Sequence, residues 1–271
     1  MSARNNQANK AAARERLRAE RERQAKKDRT RRQLIVGVSA VAVLAVAGGI
    51  GYAVVQANQP TAWETAADAK SVTAPKNTEG ENGTTVVIGK ESAKKTLELY
   101  EDSRCPVCAT FEQAVGPTIE KDVEAGRYKV RYVGATFIDD MAQGEGSKNA
   151  LSALGAALDV SPEAFLKYKA ALYSPQWHPE ETEDKFGKDS YLLEVADTVP
   201  ALKGNAAFKK NVEDGTFDAW AMKMSKTFDD SGVRGTPTLK MDGKTLTAEG
   251  SENPPMTAEA FEAALKPVLA G

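Results

Sequence analysis

Hydrophobic and polar positions along this 271-residue chain fall into three textures. The first 33 residues are almost wholly polar. Leu34–Val55 (LIVGVSAVAVLAVAGGIGYAVV) is apolar throughout and carries no charge. Beyond a polar stretch, apolar residues return with the short periods of a folded domain. Thr84–Ile88 (TTVVI) and Thr96–Tyr100 (TLELY) have the β-branched or alternating character of strands. A helix is expected from about Cys105 to Ala125, with Phe111, Val115 and Ile119 on one face at four-residue spacing and Gly126 at its end. Tyr128–Phe137 (YKVRYVGATF) reads as a further strand.

Roughly 90 residues of helical character follow. Ala150–Leu158 is rich in Ala and Leu. Ser161-Pro162-Glu163 opens the next helix with a cap residue and Pro in the first helical position, and Phe165, Tyr168 and Leu172 are its apolar residues. Tyr191–Val199 and Phe217–Phe228 are further candidates. Phe217, Trp220, Met224 and Phe228 recur at helical spacing; they suit a core-facing stripe better than the lining of a peptide groove. Two strand-like pieces, Thr236–Met241 and Lys244–Ala248, are joined by Asp242-Gly243, a hairpin signal. Thr257 caps a closing helix to Leu269, with Phe261, Leu265 and Val268 along one side. Strands flanking a helical block argue for an α/β sandwich.

Charge sharpens the reading of the first two textures. Residues 1–33 hold 12 basic and 4 acidic side chains, and the rest of the chain 24 and 34. The 22 apolar residues between would span about 33 Å as a helix, enough for a bilayer core. Basic residues upstream, ending in Arg29, Arg31 and Arg32, keep that end cytoplasmic and place everything after Val55 outside. A retained single-pass anchor is therefore expected. A signal peptide cleaved near Ala57 is the rival, although the apolar run exceeds the usual 7–15 residues. The basic stretch from Ala11 to Arg32 should be helical. It serves as a topology signal more readily than as a nucleic-acid or anionic-lipid contact. Residues 56–83, polar and punctuated by Pro60, Pro75, Gly80 and Gly83, read as a flexible tether with a span of roughly 30 Å.

Only two cysteines are present, Cys105 and Cys108, in the sequence Cys105-Pro106-Val107-Cys108. A strand leading into a helix places both sulfurs in the first helical turn on one face, close enough to bridge. Pro106 suits the first helical position. Free N–H groups and the positive end of the helix favour a thiolate at Cys105, with Arg104 assisting and Glu101 and Asp102 opposing. Cys105 would then attack and Cys108 resolve the mixed disulfide. Three blander readings stand beside this one. A zinc site would need about four ligands where the chain offers two Cys and one His. A structural bridge would close a four-residue loop and constrain the unfolded chain little. Two unrelated buried thiols are the third. The lone His178, between helical segments, is expected to be a surface loop residue rather than a general base. No nucleophile–base triad, phosphate loop or zinc spacing is visible.

Two motifs, YEDSRCPVC (Tyr100–Cys108) and GVRGTPTLKMDGK (Gly232–Lys244), resemble those of the thioredoxin superfamily, and within it the DsbA-like thiol-disulfide oxidoreductases. The resemblance covers about 84–271. It implies a thioredoxin fold with a helical domain inserted at about 141–231; the one transmembrane helix and the linker that precede it are expected from the apolar and polar runs above. It implies that Pro237, after Thr236, is a cis-proline beside the active cysteines, and that Pro106, Val107, Thr236 and Pro237 support the site and receive substrate peptide. It further implies disulfide exchange with cysteines of exported polypeptides, more readily as an oxidase than as a reductase or maturation factor. A membrane redox partner, plausibly quinone-coupled, would recharge the pair, with no metal, organic cofactor or nucleic acid involved. A peptide-binding module with a structural disulfide is the non-catalytic alternative. Two departures matter. Val107 stands where the best-known member has a His, so it donates no hydrogen bond to the thiolate. Leu99 stands where many relatives carry a buried acid six residues before the first Cys. Glu98 would face away, which leaves proton transfer at Cys108 without an obvious group.

Overall fold

The computed structural model describes residues 59–270, the stretch 14–34, and the single positions 10, 37, 38 and 46. Residues 1–60 and 61–271 form two separate compact units. In the first, residues 14–34 are helical (α1) and exposed, as their Arg, Ala and Glu content requires. The apolar segment 34–55 lies almost wholly outside the described residues. Among those described, no helix is long and apolar enough to cross a membrane.

The second unit is built on a five-stranded sheet in the order β1-β3-β2-β4-β5. The strands are β1 (Val86–Ile88), β2 (Thr96–Asp102), β3 (Lys129–Ala135), β4 (Thr238–Met241) and β5 (Lys244–Thr245). Strand β2 is central, parallel to β3 and antiparallel to β4, with Leu99 opposite Tyr132 on one side and Leu239 on the other. The β4–β5 hairpin turns at Asp242 (φ 53°) and Gly243 (φ 76°), two consecutive left-handed residues that match the twist of the flanking strands.

Helix α3 (Pro106–Ala125) joins β2 to β3 and buries Phe111, Val115 and Ile119 against the sheet. It stops at Gly126, whose φ of 80° is the left-handed conformation that glycine adopts without penalty. Between β3 and β4 the described chain is helical and without strands: α4 (Ile138–Ala142), α5 (Gly146–Val160), α6 (Pro162–Leu172), α7 (Asp189–Ala196), α8 (Ala206–Glu213) and α9 (Asp218–Asp230). The Ser161 hydroxyl accepts from Ala164 N–H at the start of α6, as its sequence signals. Phe217, Trp220, Met224 and Phe228 are all buried in the core. Gly155 on α5 lets α9 approach closely, since a Cβ there would lie 2.8 Å from the Trp220 ring. Helix α10 (Ala258–Leu269), capped by the Thr257 hydroxyl, closes the chain.

The stretch 56–83 departs from the expected tether from Thr61 onward. Thr61 and Glu64 form a reciprocal capping box that starts the short helix α2 (Ala62–Ala67). Lys223 Nζ donates to Ala67 O, Trp220 Nε1 to Gly83 O, and Asn77 Nδ2 to Leu158 O. Glu79 pairs with Thr85 as a β-bridge, and Pro75 is buried. A segment with few large apolar residues is therefore held by polar contacts to the domain, which periodicity does not reveal.

Candidate active site

The site forms where β2 runs into α3. Strand β2 extends two residues past Tyr100, through Glu101 and Asp102, so both acids belong to the strand rather than the loop. Cys105 caps α3 in extended conformation (φ −71°, ψ 116°), with Pro106 at the first helical position. The two cysteines are unbridged and adjacent, 6% and 0% exposed, and share a small cluster with Ala109, Ile138 and Tyr173. Val107, between them, is 49% exposed. The Thr236–Pro237 bond is cis, as the motif implied, and Cys105 Sγ lies 3.5 Å from the Thr236 carbonyl oxygen. Thr236, at the cis bond, thus meets Cys105, and Pro106 and Val107 separate the two cysteines along the chain.

The two sulfurs have opposite electrostatics. A hydrogen bond from Cys108 outweighs burial and, with Thr236 and the N–H groups of Val107 and Cys108, lowers the Cys105 thiol to about 6. Cys108 is raised well above its ordinary value, chiefly by burial, then by its bond to Cys105 and by the charges of Cys105 and Glu101. The buried Thr236 hydroxyl has no hydrogen-bond partner among the described residues, which leaves it available to a Cys105 thiolate.

Arg104 does not assist the thiolate as expected. Its guanidinium is buried, with Nη1 2.8 Å from Asp139 Oδ1 and 3.3 Å from Asp184 Oδ1, and Nη2 donating to Glu181 O. Asp139 also accepts the N–H groups of Ser147 and Lys148. Asp102 accepts from Arg104 N–H, Ile138 N–H and the Ser147 hydroxyl, and burial raises its carboxyl to about 7. This joint ties the loop before Cys105 to the helical block. His178 is likewise more than a loop residue. It is half-buried, stacks on Tyr173, and donates from Nε2 to Ser103 O at 3.2 Å. Burial depresses its pKa and keeps it neutral.

Sequence reasoning missed one group altogether. Beneath the sulfurs, Lys169 Nζ lies 3.1 Å from Glu101 Oε2 and 2.6 Å from Glu112 Oε2, all three side chains buried. The signal was present. Lys169 interrupts the apolar face of α6 between Phe165 and Leu172, and Glu112 stands one helical turn beyond Cys108. No cluster of side chains that could hold a metal occurs among the described residues.

A family model described as thioredoxin matches residues 81–267. The chain belongs to the thioredoxin family. Within that family it is similar to disulfide bond formation protein D of Bacillus subtilis, 26% identical over 161 residues, or 59% of this chain and 68% of that one. Among solved structures, oxidised DsbA of Mycobacterium tuberculosis is 25% identical with a TM-score of 0.56, over 69% of this chain and 93% of that one. The reduced disulfide bond oxidoreductase DsbG of the same organism is also 25% identical, with a TM-score of 0.57 over 70% and 89%. The expected thioredoxin fold with a helical insertion is the fold observed, and the thioredoxin-family chemistry of these relatives is thiol-disulfide exchange.

Proposed function

We infer that this thiol-disulfide oxidoreductase works outside the cytoplasm as an oxidase that passes a Cys105–Cys108 disulfide to cysteines of exported polypeptides. The observation that carries this reading is the contrast between two buried sulfurs: Cys105 caps the helix with a pKa near 6, and Cys108, one turn in, has its pKa raised. A substrate thiolate attacks Cys105 Sγ, and the electron pair of the broken S–S bond leaves on Cys108. A second substrate thiolate then attacks the substrate sulfur of the mixed disulfide. The substrate disulfide forms, and Cys105 leaves as a stabilised thiolate. Exposed Val107 and the Thr236–Pro237 backbone offer the peptide its contacts. A Cys105 pKa between that of thioredoxin, about 7, and that of DsbA, about 3.5, supports a moderately oxidising pair.

The rest of the assignment follows the sequence. Residues 1–33 are a cytoplasmic basic segment and 34–55 a membrane anchor, with the domain beyond them extracytoplasmic. A membrane partner takes up the two electrons. The reductase or maturation-factor reading is separated by the equilibrium potential against glutathione: a value near −270 mV, that of thioredoxin, would end the oxidase claim. Cys105→Ser should abolish oxidative refolding of a reduced substrate. If the double variant with Cys108→Ser refolds substrate as fast as the wild type, the redox reading is lost and a binding module with a structural bridge takes its place.

A further inference from the structure

We propose that the rim around the cysteine pair selects polypeptide substrates by charge, with Asp140 and Asp229 as specificity-determining residues and a cysteine flanked by lysine or arginine as the favoured partner. The proposal rests on the disulfide-exchange reading above and names the substrate class of that same site.

Exposure marks the approach to the sulfurs. Among the described residues from 61 onward, the exposed large apolar side chains are Val107 and Met141, 49% and 73% exposed. Val107 lies between the cysteines in sequence. Met141 follows Ile138 by three residues on α4, and Ile138 shares the buried cluster of Cys105 and Cys108. Apolar side chains left open at a reactive centre suit a bound polypeptide, and by themselves they choose little among sequences.

The charges beside them do choose. Asp140 adjoins Met141 and is exposed. Phe137, at the start of α4, stacks on Phe228 at 5.7 Å, which brings the end of α9 beside α4. Asp229 and Asp230 stand at that end, both exposed. Partial burial pushes the Asp229 carboxyl up, and the charges of Asp230 and Asp140 push it further, so the three crowd one junction. Lys226, which pairs with Asp230 at 2.9 Å, offsets part of this charge. On the other flank of the redox loop His178 holds the Ser103 carbonyl, and Glu180 beside it is exposed. Arg234, exposed on the segment that leads to Thr236, is the opposing charge, and one cation against Asp140, Asp229 and Glu180 leaves the rim negative.

A second observation is independent of this sum. Asp229 and Asp230 occupy the last turn of α9, where the negative end of the helix dipole disfavours acids. Local stability opposes that placement, and such conflicts fall where a surface serves function.

In the reaction a substrate thiolate attacks Cys105 Sγ, the bond to Cys108 breaks with its electron pair on Cys108 Sγ, and the mixed disulfide forms within this rim. One pair of unit charges about 8 Å apart in water alters a rate by a factor of about 2, and several pairs multiply until salt screens them.

The test uses the full-length chain in its oxidised form and two short reduced peptides. Each peptide carries two cysteines, and the two differ only in having lysine or glutamate beside them. Each exchange rate is divided by the rate of the same peptide with 2-hydroxyethyl disulfide, which cancels the effect of the flanking charge on the peptide's own thiol. At about 20 mM ionic strength the normalised rate of the lysine peptide should exceed that of the glutamate peptide by at least about 10-fold, and in about 0.5 M salt by less than about 3-fold. Asp140→Asn combined with Asp229→Asn should lower the low-salt ratio by at least about 3-fold. Equal normalised rates in the wild type, or an unchanged ratio in the double variant, overturn the proposal. If the double variant does not fold, the wild-type salt series decides: a ratio indifferent to salt overturns it. A chain that oxidises neither peptide would instead sink the disulfide-exchange reading itself.

Discussion

At the scale of single residues, function turns on how differently two like side chains are held. The Cys105 thiol, lowered to about 6, should alkylate with iodoacetamide along a pH curve with its midpoint there. Thr236→Val removes a hydroxyl that stabilises the thiolate and should move that midpoint upward. Val107→His places a donor at the helix tip and should move it further down. Redox-dependent stability follows with a definite sign. A thiol in the unfolded chain ionises near 8.5. Cys105, whose native pKa is depressed, therefore adds stability to the reduced protein that is complete above that value and lost as pH falls through about 6. Cys108, whose native pKa is raised, contributes stability that is lost as pH rises past 8.5. The melting temperature of reduced relative to oxidised protein should climb from pH 6 to about 8.5 and then decline. A flat difference in calorimetry would contradict both shifts. The cysteine motif and the Thr236-Pro237 segment were legible because chemistry fixes those residue types at those positions. The trio under them was not, because Glu101, Glu112 and Lys169 lie 11 and 57 residues apart and meet only when β2, α3 and α6 pack.

At the scale of elements, legibility follows the source of stability. Helices α3, α5, α6, α9 and α10 bury apolar stripes, and their periodicity marks them in the sequence. Helix α2 and the turn at Glu81–Gly83 bury almost nothing apolar and are fixed by caps and by Trp220, Lys223 and Asn77, so no period reveals them. Trp220→Phe strands a buried Gly83 carbonyl and should cost roughly 1–3 kcal/mol in denaturant unfolding. Gly155→Ala drives a methyl into the Trp220 ring and should cost a similar amount, about 1–3 kcal/mol, by overpacking α5 against α9. If both variants unfold at the wild-type midpoint, the α5–α9 contact and the 61–83 segment do not support the domain as described.

At the scale of the whole domain, the Arg104–Asp139–Asp184 joint binds the redox loop to the helical block. Arg104→Met leaves buried Asp139 with only the more distant Lys148, 3.5 Å away, as its cation and should destabilise by about 3 kcal/mol. Thermal unfolding within about 1 °C of wild type would show that the joint carries no weight. The sequence suggested a different use for Arg104 because charge beside a cysteine is read locally. Its burial depends on Gly144 and Gly146, which leave space around the guanidinium and Asp184 and come from the distant start of α5. The near-complete burial of both sulfurs has a consequence for traffic through the site. With Cys105 only 6% exposed and Cys108 not at all, a cysteine fixed in the interior of a finished globule has no route to contact. A slack, extended strand can thread its thiol into that recess. Burial of both sulfurs thus favours pliable substrates over folded ones.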